Sequence, residues 1–308
     1  MSANLRWSTG FFFVVSLGYS VLVHAEQPSY RLAYRFQSGQ FSNYEFNDRA
    51  EMMAQFGENR SKSVQQTQML RSYRVVAVDE AGGATIEPIV EVVRMSSQSG
   101  DKPVISYDST AGQAPPKEFE KVAGTVGRPL ARFHVAATGR LLKVSMLAND
   151  VPQNLIDAAQ KTDPAMNFLI VFPEKPLKIG EKWTEKFDTT VSIGTPGQTT
   201  PINQTIQLIR SYELAKVEGN TAVLNIRTSL LTPTNDPEIL RQIVQLTPSG
   251  VVEFDLAQGR ILSRTMKIDQ KVVEAFGKQS LLQANGESHE NLAQPQLASG
   301  APNTIPKD

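Results

Sequence analysis

One hexapeptide occurs twice in altered form: Gln68-Met69-Leu70-Arg71-Ser72-Tyr73 is answered by Gln207-Leu208-Ile209-Arg210-Ser211-Tyr212 at a spacing of 139 residues. Upstream, Gly39-Gln40 and Phe46-Asn47 align with Gly180-Glu181 and Phe187-Asp188 at 141. Downstream, Gly139-Arg140-Leu141-Leu142 aligns with Gly259-Arg260-Ile261-Leu262 at 120. Matches in the same order along the chain read as an internal duplication, and a duplicated chain must fold as two like units or as one sheet built twice. The spacing falls from 139 to 120, so the first half carries 19 extra residues, which the polar stretch from Ser96 to Pro115 supplies.

Within each half the apolar positions recur at a period of two. Tyr30, Leu32, Tyr34 and Phe36 alternate with Arg31, Ala33 and Arg35; Val252, Phe254 and Leu256 alternate with Glu253 and Asp255; Leu208, Arg210 and Tyr212 share one face. That is the signature of half-buried strands. Ala81-Gly82-Gly83, Glu218-Gly219-Asn220, Thr138-Gly139 and Gln258-Gly259 punctuate such runs as hairpin turns, where glycine supplies positive φ. Turns this short cannot make parallel crossovers, so the sheet is antiparallel. Proline with an acidic residue in the first turn opens a short helix in each half, Pro116–Val122 and Pro237–Val244. A further helix is predicted between the halves from Val151 to Lys161.

The expected class is therefore mainly β with a minor α+β character: two tandem, related, antiparallel curved-sheet halves, each with a short helix, in one or two lobes. The predicted layout is a signal peptide over 1–25, a first β-rich half over 26–148, a connecting helix and linker over 149–170, a second β-rich half over 171–291 and a disordered tail over 292–308. The signal peptide is read from Arg6, the apolar run Phe11–Leu17 and the exit Val23-His24-Ala25, with cleavage after Ala25. No cysteine occurs, which removes disulfides, thiolate nucleophiles and zinc–thiolate sites. Thirty-one basic residues balance thirty-one acidic ones, with no long run of either sign, so nucleic acid and a polybasic membrane contact are not expected partners.

Reactive groups do not cluster. His134 stands between Phe133 and Val135 and faces away from both, His289 lies near the end, and neither has a second histidine at metal-ligand spacing. Ser96-Ser97-Gln98-Ser99-Gly100 lacks the first glycine of a nucleophile elbow. Glu87 and Glu91 share a strand face, but four residues along a strand place them ~13 Å apart, too far for a glycosidase pair. Two sequons, Asn59-Arg60-Ser61 and Asn203-Gln204-Thr205, are present. Trp183 reads as a core anchor that fixes the start of the second half. No catalytic, cofactor-binding or metal-binding residue is assigned, and no cofactor is expected.

The segment around that tryptophan, Phe172-Pro173-Glu174-Lys175-Pro176-Leu177-Lys178-Ile179-Gly180-Glu181-Lys182-Trp183, resembles a Lys-Pro-x-x-x-Gly-Asp/Glu-x-Trp signature of uncharacterised exported bacterial proteins with two β-rich halves, a domain of unknown function. The resemblance implies envelope or extracellular residence and transfers no site. The expected function is a non-enzymatic binding, carrier or envelope scaffold protein, periplasmic or extracellular, whose partner is an apolar small molecule or a protein. No transmembrane anchor is expected after cleavage. A hydrolase of envelope polymers acting through dispersed carboxylates and a structural subunit of a surface assembly are the alternatives.

Overall fold

The computed structural model describes residues 27–147, 169–194 and 202–293. The leader, the helix predicted from Val151 to Lys161 and the tail beyond 293 lie outside the described residues.

Two antiparallel meanders account for nearly all of the described chain. The first runs through β2 (Phe41–Phe56), β3 (Asn59–Val78), β4 (Ala84–Ser99), β6 (Ala131–Val135) and β7 (Leu141–Met146), with β5 (Ile105–Asp108) folded back onto the end of β4. The second runs through β9 (Lys182–Ile193), β10 (Ile202–Glu218), β11 (Thr221–Leu230), β12 (Ser249–Asp255), β13 (Arg260–Val273) and β14 (Ser280–Leu292). A short helix interrupts each meander after its third long strand. In the first it is a 3-10 turn, Lys117–Phe119, leading into α1 (Glu120–Ala123); in the second it is α2 (Pro237–Ile243) followed by a 3-10 turn, Val244–Leu246. Pro237 opens α2, and the Asp236 carboxylate accepts the Glu238 N–H, satisfying one of the amides a helix start leaves open.

β14 pairs with β2 from Ser280↔Phe56 to Leu292↔Tyr44, joining the meanders into one twelve-stranded sheet in the order β7-β6-β4-β3-β2-β14-β13-β12-β11-β10-β9, with β5 as the twelfth strand, off this path on β4. The choice between two lobes and one is thus settled in favour of a single continuous sheet. It is curved but not closed, because β7 and β9 end it on opposite sides.

Two expectations need correction. The alternating stretch Tyr30–Phe36 keeps its burial pattern, with Leu32 and Tyr34 buried between exposed Arg31 and Arg35, but only β1 (Ser29–Tyr30) pairs as a strand, against β8 (Leu177–Lys178). Its later amides bond to turns instead: the Tyr34 N–H donates to the Ala137 carbonyl at 2.8 Å and the Arg35 N–H to the Gly259 carbonyl at 3.1 Å. The extra stretch from Ser96 to Pro115 is partly strand, since Ser96 and Ser97 pair with Ser106 and Ile105. The short helix of the second half packs on its own meander: Ile239 and Ile243 of α2 meet Val191 and Ile206 of β9 and β10, and Val244, in the 3-10 turn that follows, packs with Val272 and Leu282 of β13 and β14, near Met52 of β2.

The main core sits on one face of the second meander, where Leu214, Leu224, Val252 and Phe254 are fully buried against the incoming segment Leu32–Phe36 and against Phe172. Tyr34, Phe172 and Phe254 meet ring to ring at 4.8–5.5 Å between centroids. Aromatic contacts at this spacing add to the burial of large apolar area. This inner face is filled at one end by Leu32–Phe36 with Leu169–Phe172, and at the other by α2.

Candidate binding cleft

Between those two fillings the inner face is open among the described residues. A cleft of about 330 Å³ is lined by residues of β2, β10, β11, β13 and β14. β2 and β10 are separated by four strands in the sheet, so a cleft touching both requires the sheet to curl around it. Leu169 and Ile170 bound it on one side, and Leu246 and Pro248, just beyond α2, bound it on the other. Its floor is made of small residues where the meanders join: Ala50 on β2 is opposite Gly286 on β14, one step from Ala284. Met266 and Ile268 of β13, with Tyr212 and Ile226 of the paired strands β10 and β11, supply the apolar walls. The space exists because the register puts Ala and Gly at the seam and larger side chains on either side.

Charge enters this apolar trough from its floor and side. Arg264 on β13 and Arg210 on β10 line it, as does Asp48 on β2. One register step away, Glu290 on β14 is buried, with its side chain 7 % exposed, and it lies 3.5 Å from Arg71 and 3.8 Å from Arg264. Arg71 sits over the Phe46 ring at 3.9 Å and Arg210 over the Phe187 ring at 5.3 Å. Guanidinium over a ring face is held by the ring quadrupole and by shared burial. Burial pushes the Asp48 carboxyl above its ordinary range, against the pull of Arg71. It also pushes the Tyr44, Tyr73 and Tyr212 phenols up, so these tyrosines act as hydrogen-bonding and packing groups at neutral pH. The Tyr44 hydroxyl donates to the Ile261 carbonyl at 2.9 Å, and the Tyr212 hydroxyl bonds the Glu185 carboxylate at 3.1 Å.

The residues weighed from sequence lie elsewhere. His134 is on the outer face with Nδ1 3.0 Å from the Thr85 hydroxyl, and His289 is half exposed beside Thr265 and Glu287. Among the described residues no group of three or more His, Asp or Glu is placed to hold a metal ion. Glu87 is buried on the outer face between Arg74 and Arg132, whereas Glu91 accepts the Ser72 hydroxyl at 2.6 Å, so each carboxylate is engaged separately. Asn59 is exposed at the β2–β3 turn, and Asn203 is exposed on β10, accepting from Ser192. Ser96–Gly100 ends β4 with no elbow. Trp183 packs as expected: it stacks on Tyr212 at 5.1 Å and its indole N–H donates to the Val171 carbonyl.

Arg71, Arg264, Asp48 and Glu290 were not singled out from sequence. A signal was present in the hexapeptide itself, because Arg-Ser-Tyr places arginine and tyrosine on one strand face, and in both halves that face is the inner one.

No curated protein matches the chain. Among solved structures, a lipovitellin structure described as showing lipid–protein interactions aligns with 87 % of this chain at 12 % identity and a TM-score of 0.47; the chain spans 26 % of that protein. DynF from the dynemicin biosynthesis pathway of Micromonospora chersina aligns over 89 % of both chains at 9 % identity and a TM-score of 0.21. Among the described residues no helix is long and apolar enough to cross a membrane. The sequence from residue 82 to residue 261, more than half of the chain, matches a family of unknown function, DUF6263, and the protein belongs to that family.

Proposed function

We propose that this protein is an exported, non-enzymatic binding or carrier protein that holds a small, largely apolar molecule in the cleft on the inner face of its sheet. The observation that carries the reading is the trough that the described residues form. Ligand sites are concave, mostly apolar and roughly 300–1,000 Å³ with a few placed polar groups, and the cleft falls at the lower end of that range with Arg210, Arg264 and Asp48 as its charged groups. Export rests on the leader read over residues 1–25.

We also read the two meanders as copies of one ancestral unit, the architecture that the Lys175–Trp183 signature suggests. The entry turns support this in detail. Gln37 N–H donates to the Gln40 side chain, Gly39 N–H to the Val75 carbonyl and Val75 N–H to the Gln40 carbonyl; Lys178, Glu181, Gly180 and Leu214 repeat the three bonds in the second meander. The pairs Arg71–Phe46 and Arg210–Phe187 repeat as well. A duplicated sheet that curls on itself brings a strand of each meander, β2 and β10, to opposite sides of one trough.

Nile red, a neutral apolar dye, tests the reading. It is expected to bind the purified protein at one site, and Ala50→Phe, which places a ring over the floor, is expected to abolish that binding without lowering the melting temperature. Undiminished dye binding by the variant would remove the cleft from consideration.

A further inference from the structure

The open sheet ends on β9, and alternate residues of that strand turn their backbone groups outward. In an antiparallel ladder the N–H and C=O of successive residues point to opposite sides. The Glu181 carbonyl, just before β9, accepts the Leu214 N–H of β10 at 3.1 Å, so the odd-numbered residues face the ladder. On the free side, the Ser192 N–H and carbonyl are both bound by the Gln242 side-chain amide of α2, at 2.9 and 2.8 Å. The pairing of β9 with β10 is unbroken from Lys182 to Ile193, which carries the same phase along the strand: Thr184, Lys186, Asp188 and Thr190 also turn both backbone groups to the rim. Among the described residues nothing bonds them there. Gln242 does for Ser192 what a neighbouring strand would do, and the Glu238 carboxylate accepts the Gly194 N–H at 2.9 Å. α2 therefore closes the far end of the rim and leaves Thr184–Thr190 as an open edge. Such an edge is a template for another chain, and natural sheets commonly guard it with charge.

The charges on this edge are complementary to themselves. Lys186 and Asp188 are both exposed on the outer face of β9, and neither has an ion-pair partner among the described residues; Asp188 accepts one bond, from the Gln207 amide at 3.1 Å. We propose that β9 pairs antiparallel with β9 of a second copy of this chain, about a two-fold axis through Phe187, extending the sheet across both molecules. That register sets Lys186 of each copy opposite Asp188 of the other and Thr184 opposite Thr190. On the inner face it sets Phe187 opposite Phe187 and Glu185 opposite Thr189. Opposite charges and aromatic pairs directly across a ladder stabilise it, and like charges there destabilise it. Sliding the second strand two residues either way puts Lys186 opposite Lys186 or Asp188 opposite Asp188, and a slip of one residue turns the inner side chains outward. A two-fold contact makes every such pair twice. The pairing stops where Lys182 would meet Ser192, because Gln242 already holds that backbone, so α2 sets the length of the interface.

Sedimentation equilibrium of the full-length purified protein across micromolar concentrations tests it. The protein is expected to form a dimer that dissociates on dilution. Lys186→Asp, which sets like charges opposite each other twice, is expected to weaken the dimer at least about tenfold, and combining it with Asp188→Lys, which restores both opposite pairs, is expected to recover it. Thr184→Pro removes an outward-facing donor without touching the bonds to β10, and it should give a folded monomer. A monomer at every concentration would overturn the proposal. So would a dimer that all three variants leave unchanged, or one that Lys186→Asp weakens and the charge exchange fails to recover. Hydrogen exchange on the unaltered protein decides the matter even if a variant fails to fold: the Lys186 and Asp188 amides should be protected in the dimer and lose that protection on dilution, and exchange at one rate at every concentration would place the contact elsewhere and overturn the pairing of β9.

Discussion

Glu87 shows how a single buried charge can be stable in this sheet. Its side chain is 1 % exposed, with Arg74 on β3 and Arg132 on β6 bonding it from the two neighbouring strands, at 2.9 and 2.6 Å through their Nε atoms. Burial on its own would raise the pKa, but the bonds from Arg132 and Arg74 outweigh it and hold the carboxyl below its ordinary value. A folded-state pKa below the unfolded one stabilises the fold above about pH 4.5, and that stabilisation is lost as the pH falls through the folded value. Breaking a buried pair costs about 3–5 kcal/mol, and with both arginines some 40 % exposed we expect Glu87→Gln to cost about 2 kcal/mol at pH 7. Urea melts at pH 7 and pH 3 check this: the cost should shrink at the lower pH, and an equal cost at both would assign the effect to packing. Asp48 has the opposite sign. Its folded pKa is raised, so its ionised form works against folding above that value, and Asp48→Asn should stabilise the protein at pH 7 by an amount that fades on acidification. A destabilised Asp48→Asn protein at pH 7 would mean that its attraction to Arg71 outweighs its burial.

At the scale of elements, the turns and the strand alternation were legible in the sequence because they depend on chemistry a few residues apart. Gly139 and Gly259 were read as hairpin glycines, and both have positive φ, 85° and 61°. What local chemistry does not encode is their second role. A Cβ on Gly259 would sit 2.5 Å from the Arg35 nitrogen and 2.8 Å from the Ala33 carbonyl oxygen, so this turn is a dock for the segment Leu32–Phe36, which explains why that segment alternates like a strand without pairing as one. Gly219, φ 59°, has nothing within 4 Å. Left-handed backbone with a Cβ costs ~1–2 kcal/mol, so Gly219→Ala should cost about 1 kcal/mol while Gly259→Ala should cost clearly more, about 3 kcal/mol, through loss of the dock. Hydrogen exchange separates the two: the Arg35 amide, which donates to the Gly259 carbonyl, should lose protection only in Gly259→Ala. Equal stability losses in the two variants would mean that the docked segment adds little.

For the whole molecule, the decisive contact was invisible to periodicity. The pairing of β14 with β2 joins residues more than two hundred positions apart, from Ser280↔Phe56 to Leu292↔Tyr44. Alternation identifies a strand's buried face but not its neighbour, so both lobed and continuous arrangements satisfied the same pattern. The cleft was illegible for the same reason, since Ala50, Gly286, Arg264 and Arg210 come together only after that seam forms. The seam also predicts how the protein melts. Two meanders joined edge to edge across the full length of β14, with α2 packing from β9 to β14, cannot unfold independently without exposing the seam strands and the apolar side chains of Val244, Val272 and Leu282. Calorimetry should therefore show one transition, with calorimetric and van't Hoff enthalpies agreeing. Ala284→Pro, placed inside β14 where it removes a donor and distorts a central strand, should lower that single transition as a unit and reduce amide protection in β3 and β10 together. Two resolved transitions, or protection lost in only one meander, would show that the halves are energetically separate despite sharing a sheet.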